Sequence, residues 1–298
     1  MTSRAASHVL LIEPLEMHSN AETSASNVFQ EQLDADTARE LSRAAKVQHR
    51  ALRDLLVENG VRVTLTRSRA ETPDAPFCNN WFSTHGGDTL VLYPLLAANR
   101  RTERRADLVA LLRQQYPRVV DFSDRERRGS FLESTGSLCL DDDARVAYAA
   151  LSPRTNRELA VEWAATLGYR LITFTATDAD GVPYYHTNVM MFIGHGLVGI
   201  CLESIGTDRP AVETSLRESR LEVLSITRSQ VLSFCGNCLP LTSDTGAPLF
   251  AMSTAAYRGF SGDERATIAR HGRILHTDLS AFERIGGGSA RCLLGELM

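Results

Sequence analysis

The sequence contains almost no lysine: of its 32 lysine and arginine residues, only Lys46 is a lysine. Its formal net charge is -4 at pH 7, so no excess of positive charge draws the protein to nucleic acid or anionic lipid. No apolar stretch approaches the length of a membrane span, and the run Val9 to Ile12 is too short for the apolar part of a signal peptide. We therefore expect a cytoplasmic protein with neither nucleic-acid nor membrane partners.

The cysteines do not form the pattern of a small disulfide scaffold, which favours a reduced environment. Two of them form the sequence Cys235-Gly236-Asn237-Cys238, which has the CxxC form. A structural zinc site needs a second such pair, and a redox role needs a thioredoxin-like context; the sequence has neither. The prediction is therefore a protein without a metal or an organic cofactor.

One structural unit recurs about five times at a period of roughly 50–60 residues, and it consists of a helix, a strand, a polar or glycine-rich loop and a strand pair. Hydrophobic residues make up 43% of the 298 residues, which is enough for one domain spanning residues 1–298 with a sizeable core. A final strand at Leu293-Leu294 pairs with the first strand in this interpretation, which favours a closed ring over a solenoid. The predicted helices are Asp34 to Asn59, Arg105 to Tyr116, Asn156 to Leu167, Ala211 to Glu218 and Gly262 to His271.

A closed ring would bring the five loops together on one axis. The last loop, Gly286 to Cys292, presents a thiol directly after three glycines, and a cysteine thiolate is a strong nucleophile. Cysteine, histidine and glutamate from different loops suit a nucleophile, an acid–base group and an orienting carboxylate. The sequence therefore predicts one shared site built from Asn80, Glu133, His186, Asn237 and Cys292.

The same motifs resemble the guanidine-modifying superfamily of amidinotransferases and arginine deiminases, and within it the arginine deiminase-related citrulline-utilisation hydrolases. This resemblance implies an α/β fold, a five-bladed α/β propeller. The stretches that carry it cover almost the whole chain: Asn27 to Gln30, Phe77 to His85, Glu133 to Ser137, Ser152 to Thr155, Tyr185 to Val189, Gly236-Asn237 and Gly286 to Cys292.

The resemblance implies a role for each matched residue. Cys292 would attack the central carbon of a guanidino or ureido group and form a covalent intermediate. His186 would protonate the leaving amine and then activate water, and Glu133 would hydrogen-bond the substrate N–H groups. Arg154 would clamp the α-carboxylate of the substrate, a bidentate task that suits a guanidinium.

The departures from the family pattern concern the carboxylates. His85 is aligned with an aspartate of the first loop, Asn188 with the acid two residues after the histidine, and Gly136 with the acid that ends the second motif. Of the four expected carboxylates, only Glu133 therefore remains. Ser134 also replaces the glycine that usually follows this glutamate. Burying a guanidinium with so few counter-charges is unfavourable, whereas a neutral ureido group can hydrogen-bond to Asn188 and His85. We therefore expect citrulline to be hydrolysed to ornithine, ammonia and carbon dioxide.

Several alternatives remain open at this point. Arginine deimination, amidino transfer and the use of methylated arginines require the same nucleophile, and a non-catalytic binding propeller would keep the Arg154 clamp. In each case the partner is a small amino acid, and homo-oligomerisation is undecided. The resting ionisation of Cys292 and the role of Cys235 and Cys238 are undecided as well. Three turn-like loops are candidate lids: Pro73 to Phe77, Thr177 to Pro183 and Ser243 to Pro248.

Overall fold

The computed structural model describes residues 5–298 and contains five three-stranded sheets. The strands are β1 (His8–Glu13), β2 (Arg62–Arg67), β3 (Phe82–His85), β4 (Thr89–Leu92), β5 (Arg118–Asp121), β6 (Cys139–Asp141), β7 (Val146–Ala150), β8 (Arg170–Phe174), β9 (Met191–Gly194), β10 (Leu197–Ile200), β11 (Glu222–Ser225), β12 (Leu239–Thr242), β13 (Pro248–Ser253), β14 (Arg273–Thr277) and β15 (Gly295–Glu296).

All five sheets share one connectivity. The middle strands β1, β4, β7, β10 and β13 each pair antiparallel with one neighbour and parallel with the other. A parallel pair needs a crossover, and in each unit a helix supplies it. These helices are α1 (Ala35–Glu58), α2 (Ala106–Gln115), α3 (Arg157–Leu167), α4 (Arg209–Glu218) and α5 (Gly262–His271). The predicted fivefold recurrence of the unit is therefore present.

The two ends of the chain meet in one sheet, as the sequence predicted. Strand β15 pairs antiparallel with β1, with Val9 opposite Glu296 and Leu10 opposite Gly295. The predicted position of the last strand was wrong, because Leu293 ends a short helix, Ala290–Leu293, and the strand begins at Gly295. The helical turn is needed to carry Cys292, and the chain becomes extended only after it.

The five crossover helices begin and end within two residues of their predicted positions, because local signals in the sequence specify their ends. The Asp34 carboxylate accepts backbone N–H groups of the first turn of α1, and Asn156 does the same for α3. Gly168 ends α3 with φ 73°, a conformation that favours glycine. Ser261 and Glu264 form a capping box at α5.

The core consists of the inward faces of the sheets and helices. Helix α1 buries Leu41, Ala45, Leu52 and Leu56, which recur at helical spacing on one face. The largest fully buried side chains include Trp81 and Trp163, and full burial of a large apolar side chain contributes about 1.5–3 kcal/mol. Among the described residues, no helix is both long and apolar enough to cross a bilayer.

Candidate active site

A cavity opens where loops from different sheets meet, and four of the predicted site residues line it: Asn80, Arg154, His186 and Cys292. Its other lining residues are Thr23, Asn27, Asp74, Phe77, Arg100, Tyr185, Gly286 and Gly288. They come from segments as distant in sequence as residues 23 and 292, so only the tertiary structure brings them together.

Cys292 lies in the turn that follows the glycine-rich loop. Its backbone N–H donates to the carbonyl of Ser289 at 3.0 Å. A Cβ on Gly286 would come within 2.4 Å of the Phe77 ring, and one on Gly288 within 2.8 Å. The loop therefore packs too closely for larger residues. Burial raises the pKa of the Cys292 thiol above its ordinary value, although Ser289, Asn237 and nearby arginines act in the opposite direction.

His186 forms a buried pair with Glu133. Its Nε2 lies 2.7 Å from Oε2 of Glu133, and both side chains are almost fully buried. Burial lowers the pKa of His186 to about 4, although Glu133 acts to raise it. His186 is therefore neutral at rest and able to accept a proton. A side chain on Gly136 would come within 2.8 Å of Nδ1 of the imidazole, so glycine is required next to the ring.

Glu133 does not line the cavity but lies directly behind His186. Its Oε1 accepts the backbone N–H of Leu96 at 3.0 Å, and its Oε2 lies 3.4 Å from Nη1 of Arg154. Burial alone would raise the pKa of Glu133, but Arg154, the hydrogen bond with His186 and Arg100 hold it well below its usual range. Both oxygens are engaged, so the geometry supports orientation of the imidazole rather than the expected contact with substrate N–H groups.

Two buried arginines flank the cavity. The Arg154 guanidinium donates to Oγ of Ser26 at 2.8 Å and 3.1 Å and lies over the ring of Tyr185. The Arg100 guanidinium donates to the Glu103 carboxylate at 2.9 Å and 3.0 Å. Sequence reasoning missed Arg100, because it lies in an arginine-rich run that is typical of an exposed surface. The spacing of Arg100 and Glu103, three residues apart in a short 3-10 helix, is the one signal that could have found it.

The first-loop assignment to His85 is not supported, because His85 is the last residue of β3 and does not line the cavity. Its Nε2 lies 2.7 Å from Oγ of Ser83, and its ring packs edge-on against Trp163 and Tyr169. The loop before β3 contributes Asn80 instead. The loop Pro73 to Phe77, a predicted lid, contributes Asp74, which sequence reasoning did not select.

Asp74 and Asn80 each present an unpaired polar atom. The Oδ2 of Asp74 accepts from Asn20 at 2.8 Å and from Thr23 at 3.1 Å, whereas its Oδ1 has no hydrogen-bond partner among the described residues. The Oδ1 of Asn80 accepts from Nη1 of Arg100 at 2.9 Å, and within the same part of the chain its Nδ2 has no partner. A guanidinium only donates, so this bond fixes the orientation of the Asn80 amide.

Asn188 and Asn237 lie beside Cys292 rather than on the cavity wall. The Nδ2 of Asn237 is 3.2 Å from Sγ of Cys292, and the Oδ1 of Asn188 is 4.0 Å from the same sulfur. Cys235 and Cys238 are buried, free thiols near Asn237, and burial raises the pKa of Cys235 to about 12. No group of three metal-ligating side chains occurs in residues 5–298.

Solved structures with this fold include several arginine-processing proteins. A variant of the N-terminal domain of ArgZ, bound covalently to a reaction intermediate, is 17% identical, with a TM-score of 0.77 and coverage of 98% of this chain and 97% of that one. ArgZ is an arginine dihydrolase from the ornithine–ammonia cycle of cyanobacteria, and this chain spans 40% of the full-length structure. A dimethylarginine dimethylaminohydrolase adduct with S-methyl-L-thiocitrulline is also 17% identical, with a TM-score of 0.68 and coverage of 98% and 100%.

At these low identities, the TM-scores show that the proteins share an α/β fold. No curated protein matches the sequence. The family described as N,N dimethylarginine dimethylhydrolase, eukaryotic, matches residues 13–298, which is nearly the whole chain. The chain therefore belongs to this family and is a cysteine-dependent hydrolase of the guanidino-modifying kind.

Proposed function

We propose that the protein hydrolyses the ureido group of citrulline to ornithine, ammonia and carbon dioxide. The five sheets are then the blades of a single α/β propeller domain, with the cavity at its axis. The observation that carries the proposal is the orientation of Asn80. Arg100 holds its oxygen, so the first loop offers the cavity an N–H donor where a guanidinium would need a carboxylate.

The charges around the cavity support a substrate with a neutral side chain. Its described lining carries the two guanidinium groups of Arg100 and Arg154 and the carboxylate of Asp74. Glu133 is already engaged with His186 and Arg154. Citrulline brings one carboxylate and one ammonium group, whereas arginine adds a second cation that would remain without a dedicated counter-charge.

The cavity also offers partners for the amino-acid end of the substrate. The unpaired Oδ1 of Asp74 is an acceptor for the α-ammonium group. The guanidinium groups of Arg154 and Arg100 are donors for the α-carboxylate. Arg154 already contacts Ser26 and Thr23, so the substrate carboxylate would share or replace these contacts.

The proposed reaction begins with a neutral thiol and a neutral imidazole. The Cys292 proton passes to His186 as the sulfur attacks the ureido carbon, and Glu133 stabilises the imidazolium across 2.7 Å. His186 then protonates the leaving amine, and a carbamoyl group remains bound to sulfur. Hydrolysis of the S–C bond by water, with His186 as the base, restores the thiol and releases carbamate, which decomposes to ammonia and carbon dioxide. The overall balance is citrulline plus water to ornithine, ammonia and carbon dioxide.

The testing experiment incubates the purified protein separately with L-citrulline and L-arginine and follows ornithine, citrulline and ammonia. We expect ornithine and ammonia from citrulline, and loss of both in Cys292→Ala. Faster consumption of arginine than of citrulline would overturn the argument from Asn80 while retaining the nucleophile. Retained activity in a variant lacking both Cys235 and Cys238 would exclude a redox role for this pair.

Family membership favours a second candidate, the hydrolysis of N,N-dimethylarginine to citrulline and dimethylamine. The fold similarity to arginine dihydrolases raises a related outcome, in which arginine is converted to ornithine. Adding N,N-dimethylarginine as a third substrate and following dimethylamine separates these outcomes, because dimethylamine appears only in the first, and ornithine from arginine only in the second.

A further inference from the structure

We propose that Asn237 is a further catalytic residue, which stabilises the Cys292 thiolate directly through its side-chain amide. The Cys235-Gly236-Asn237-Cys238 turn, whose spacing resembles a metal or redox motif, then serves to hold that amide against the sulfur. The inference rests on Cys292 being the nucleophile of the proposed function. It does not depend on which substrate the sulfur attacks.

The orientation of the Asn237 amide follows from its neighbours. Its Oδ1 accepts the backbone N–H of Arg291 at 3.1 Å. A backbone N–H only donates, so the oxygen faces Arg291 and the amide nitrogen faces the sulfur. The nitrogen lies 2.9 Å from the Asn188 carbonyl oxygen and 3.2 Å from Sγ of Cys292. The Oδ1 of Asn188 is a third, longer contact at 3.4 Å, so the two N–H groups are directed at Asn188 and at the sulfur.

The backbone that carries Asn237 is tightly constrained. The N–H of Asn237 donates to the Phe234 carbonyl at 2.9 Å, and Phe234 has φ 60°, in the left-handed region. A bulky residue in this conformation is strained and persists only where the surroundings impose it. A Cβ on Gly236 would come within 2.3 Å of the Val189 carbonyl oxygen and 2.7 Å of Cα of Met190, so only glycine fits.

The two thiols of the turn donate hydrogen bonds to backbone carbonyl groups. Cys238 donates to the Cys235 carbonyl at 3.4 Å, and Cys235 donates to the Ala256 carbonyl at 3.4 Å. Both are buried small side chains that close the turn and fix it to the neighbouring strand–helix junction. This arrangement accounts for the CxxC spacing without metal or redox chemistry.

An N–H donor at this distance favours the charged form of the sulfur over the neutral one, because a thiolate is the stronger acceptor. The donor is uncharged, so it offsets burial without placing a cation beside the carbon that is attacked. The titratable and charged groups around the sulfur come from the cavity lining and from two further residues, Arg291 and Cys139. Those of the cavity lining are Asp74, Arg100, Arg154, Tyr185 and His186.

The test measures the pH dependence of Cys292 alkylation by iodoacetamide in the substrate-free protein, with the labelled peptide identified by mass spectrometry. Removing the donor in Asn237→Leu, which has nearly the same shape, should raise the thiol pKa by about one unit, so that alkylation at pH 7 falls about tenfold. Asn237→Asp should lower the alkylation at pH 7 further, because a carboxylate beside the sulfur disfavours the thiolate. The limiting rate at high pH should stay within about threefold, since access to the sulfur is retained.

Cys201→Ala is the matched control, because it removes a buried thiol that lies in neither the turn nor the cavity, and its alkylation profile should equal that of the parent. Circular dichroism identifies folded variants, and Asn237→Ala replaces any variant that fails to fold. A folded Asn237 variant with the parental thiol pKa would overturn the proposal. If citrulline is not turned over, the alkylation profile still decides the role of Asn237. If citrulline is turned over, kcat should fall in the Asn237 variants with little change in KM.

Discussion

The Arg100 guanidinium donates to Oδ1 of Asn80 at 2.9 Å, and this bond decides which end of the Asn80 amide faces the cavity. The other end is a buried N–H donor without a partner among the described residues, and we expect it to favour a ureido oxygen over a guanidinium N–H. Arg100 itself is held by Glu103 through two further hydrogen bonds. In the proposed function, the substrate preference therefore depends on a buried ion pair.

Asn80→Asp should invert the preference of the site. The new carboxylate would still accept from Arg100 and would offer its second oxygen to a guanidinium. We expect kcat/KM for citrulline to fall about 10–100-fold, the cost of one lost hydrogen bond to a buried group, and the ratio of arginine to citrulline turnover to rise. Asn156→Asp, which adds the same charge at the N-cap of α3, is the control. Equal loss for both substrates would count against the role of Asn80.

Glu133→Gln should lower kcat with little effect on KM. The amide is uncharged and stabilises the imidazolium less than the carboxylate that now lies 2.7 Å from His186. Loss of such support for an acid–base group costs about 100-fold or more in rate. Steady-state kinetics measure the effect, and a variant whose KM rises while kcat is unchanged would instead indicate direct binding of substrate by Glu133.

Gly136→Ala should abolish most activity while the protein still folds. Its Cβ would lie 2.5 Å from Nδ2 of Asn80 and 2.8 Å from Nδ1 of His186, so both side chains would have to move. A displacement of this size commonly costs about 100-fold in rate. Gly206→Ala is the matched control, because a Cβ there meets no atom within 4 Å. Full activity in both variants would show that His186 and Asn80 tolerate displacement.

Acid should destabilise the fold in part through His49. This side chain is fully buried with no hydrogen-bond partner for either ring nitrogen among the described residues, and burial lowers its pKa to about 4. The unfolded chain binds the proton near the ordinary value of 6.5, so stability is lost as pH falls from 6.5 to about 4. The slope is at most about 1.4 kcal/mol per pH unit.

His49→Leu should remove that share of the pH dependence, as measured by urea unfolding at pH 7 and pH 5. The parent should lose about 1–2 kcal/mol more than the variant between these two pH values. His85 and His186 also have pKa values lowered to about 4, so the variant should retain part of the acid sensitivity. Parallel losses in parent and variant would contradict the assignment to His49.

The sequence by itself determined the repeating unit, the five crossover helices and four of the cavity residues. Helices α1, α3 and α5 were predictable because their apolar spacing and caps are local in the chain. The position of Cys292, His186 and Arg154 at the cavity was predictable because each lies in a short, distinctive motif. The pairing of the last strand with the first was predictable as well, although the last strand begins at Gly295 rather than Leu293.

Only the tertiary structure decided which side chains of those loops face the cavity. His85 and Asn80 lie five residues apart in one segment. Strand β3 begins at Phe82 and includes His85, whereas Asn80 lies before the strand and lines the cavity. Arg100 and Asp74 join the cavity through contacts between distant segments, which no local pattern reports. Asn237 faces sulfur rather than substrate because a backbone N–H 54 residues away, at Arg291, holds its oxygen.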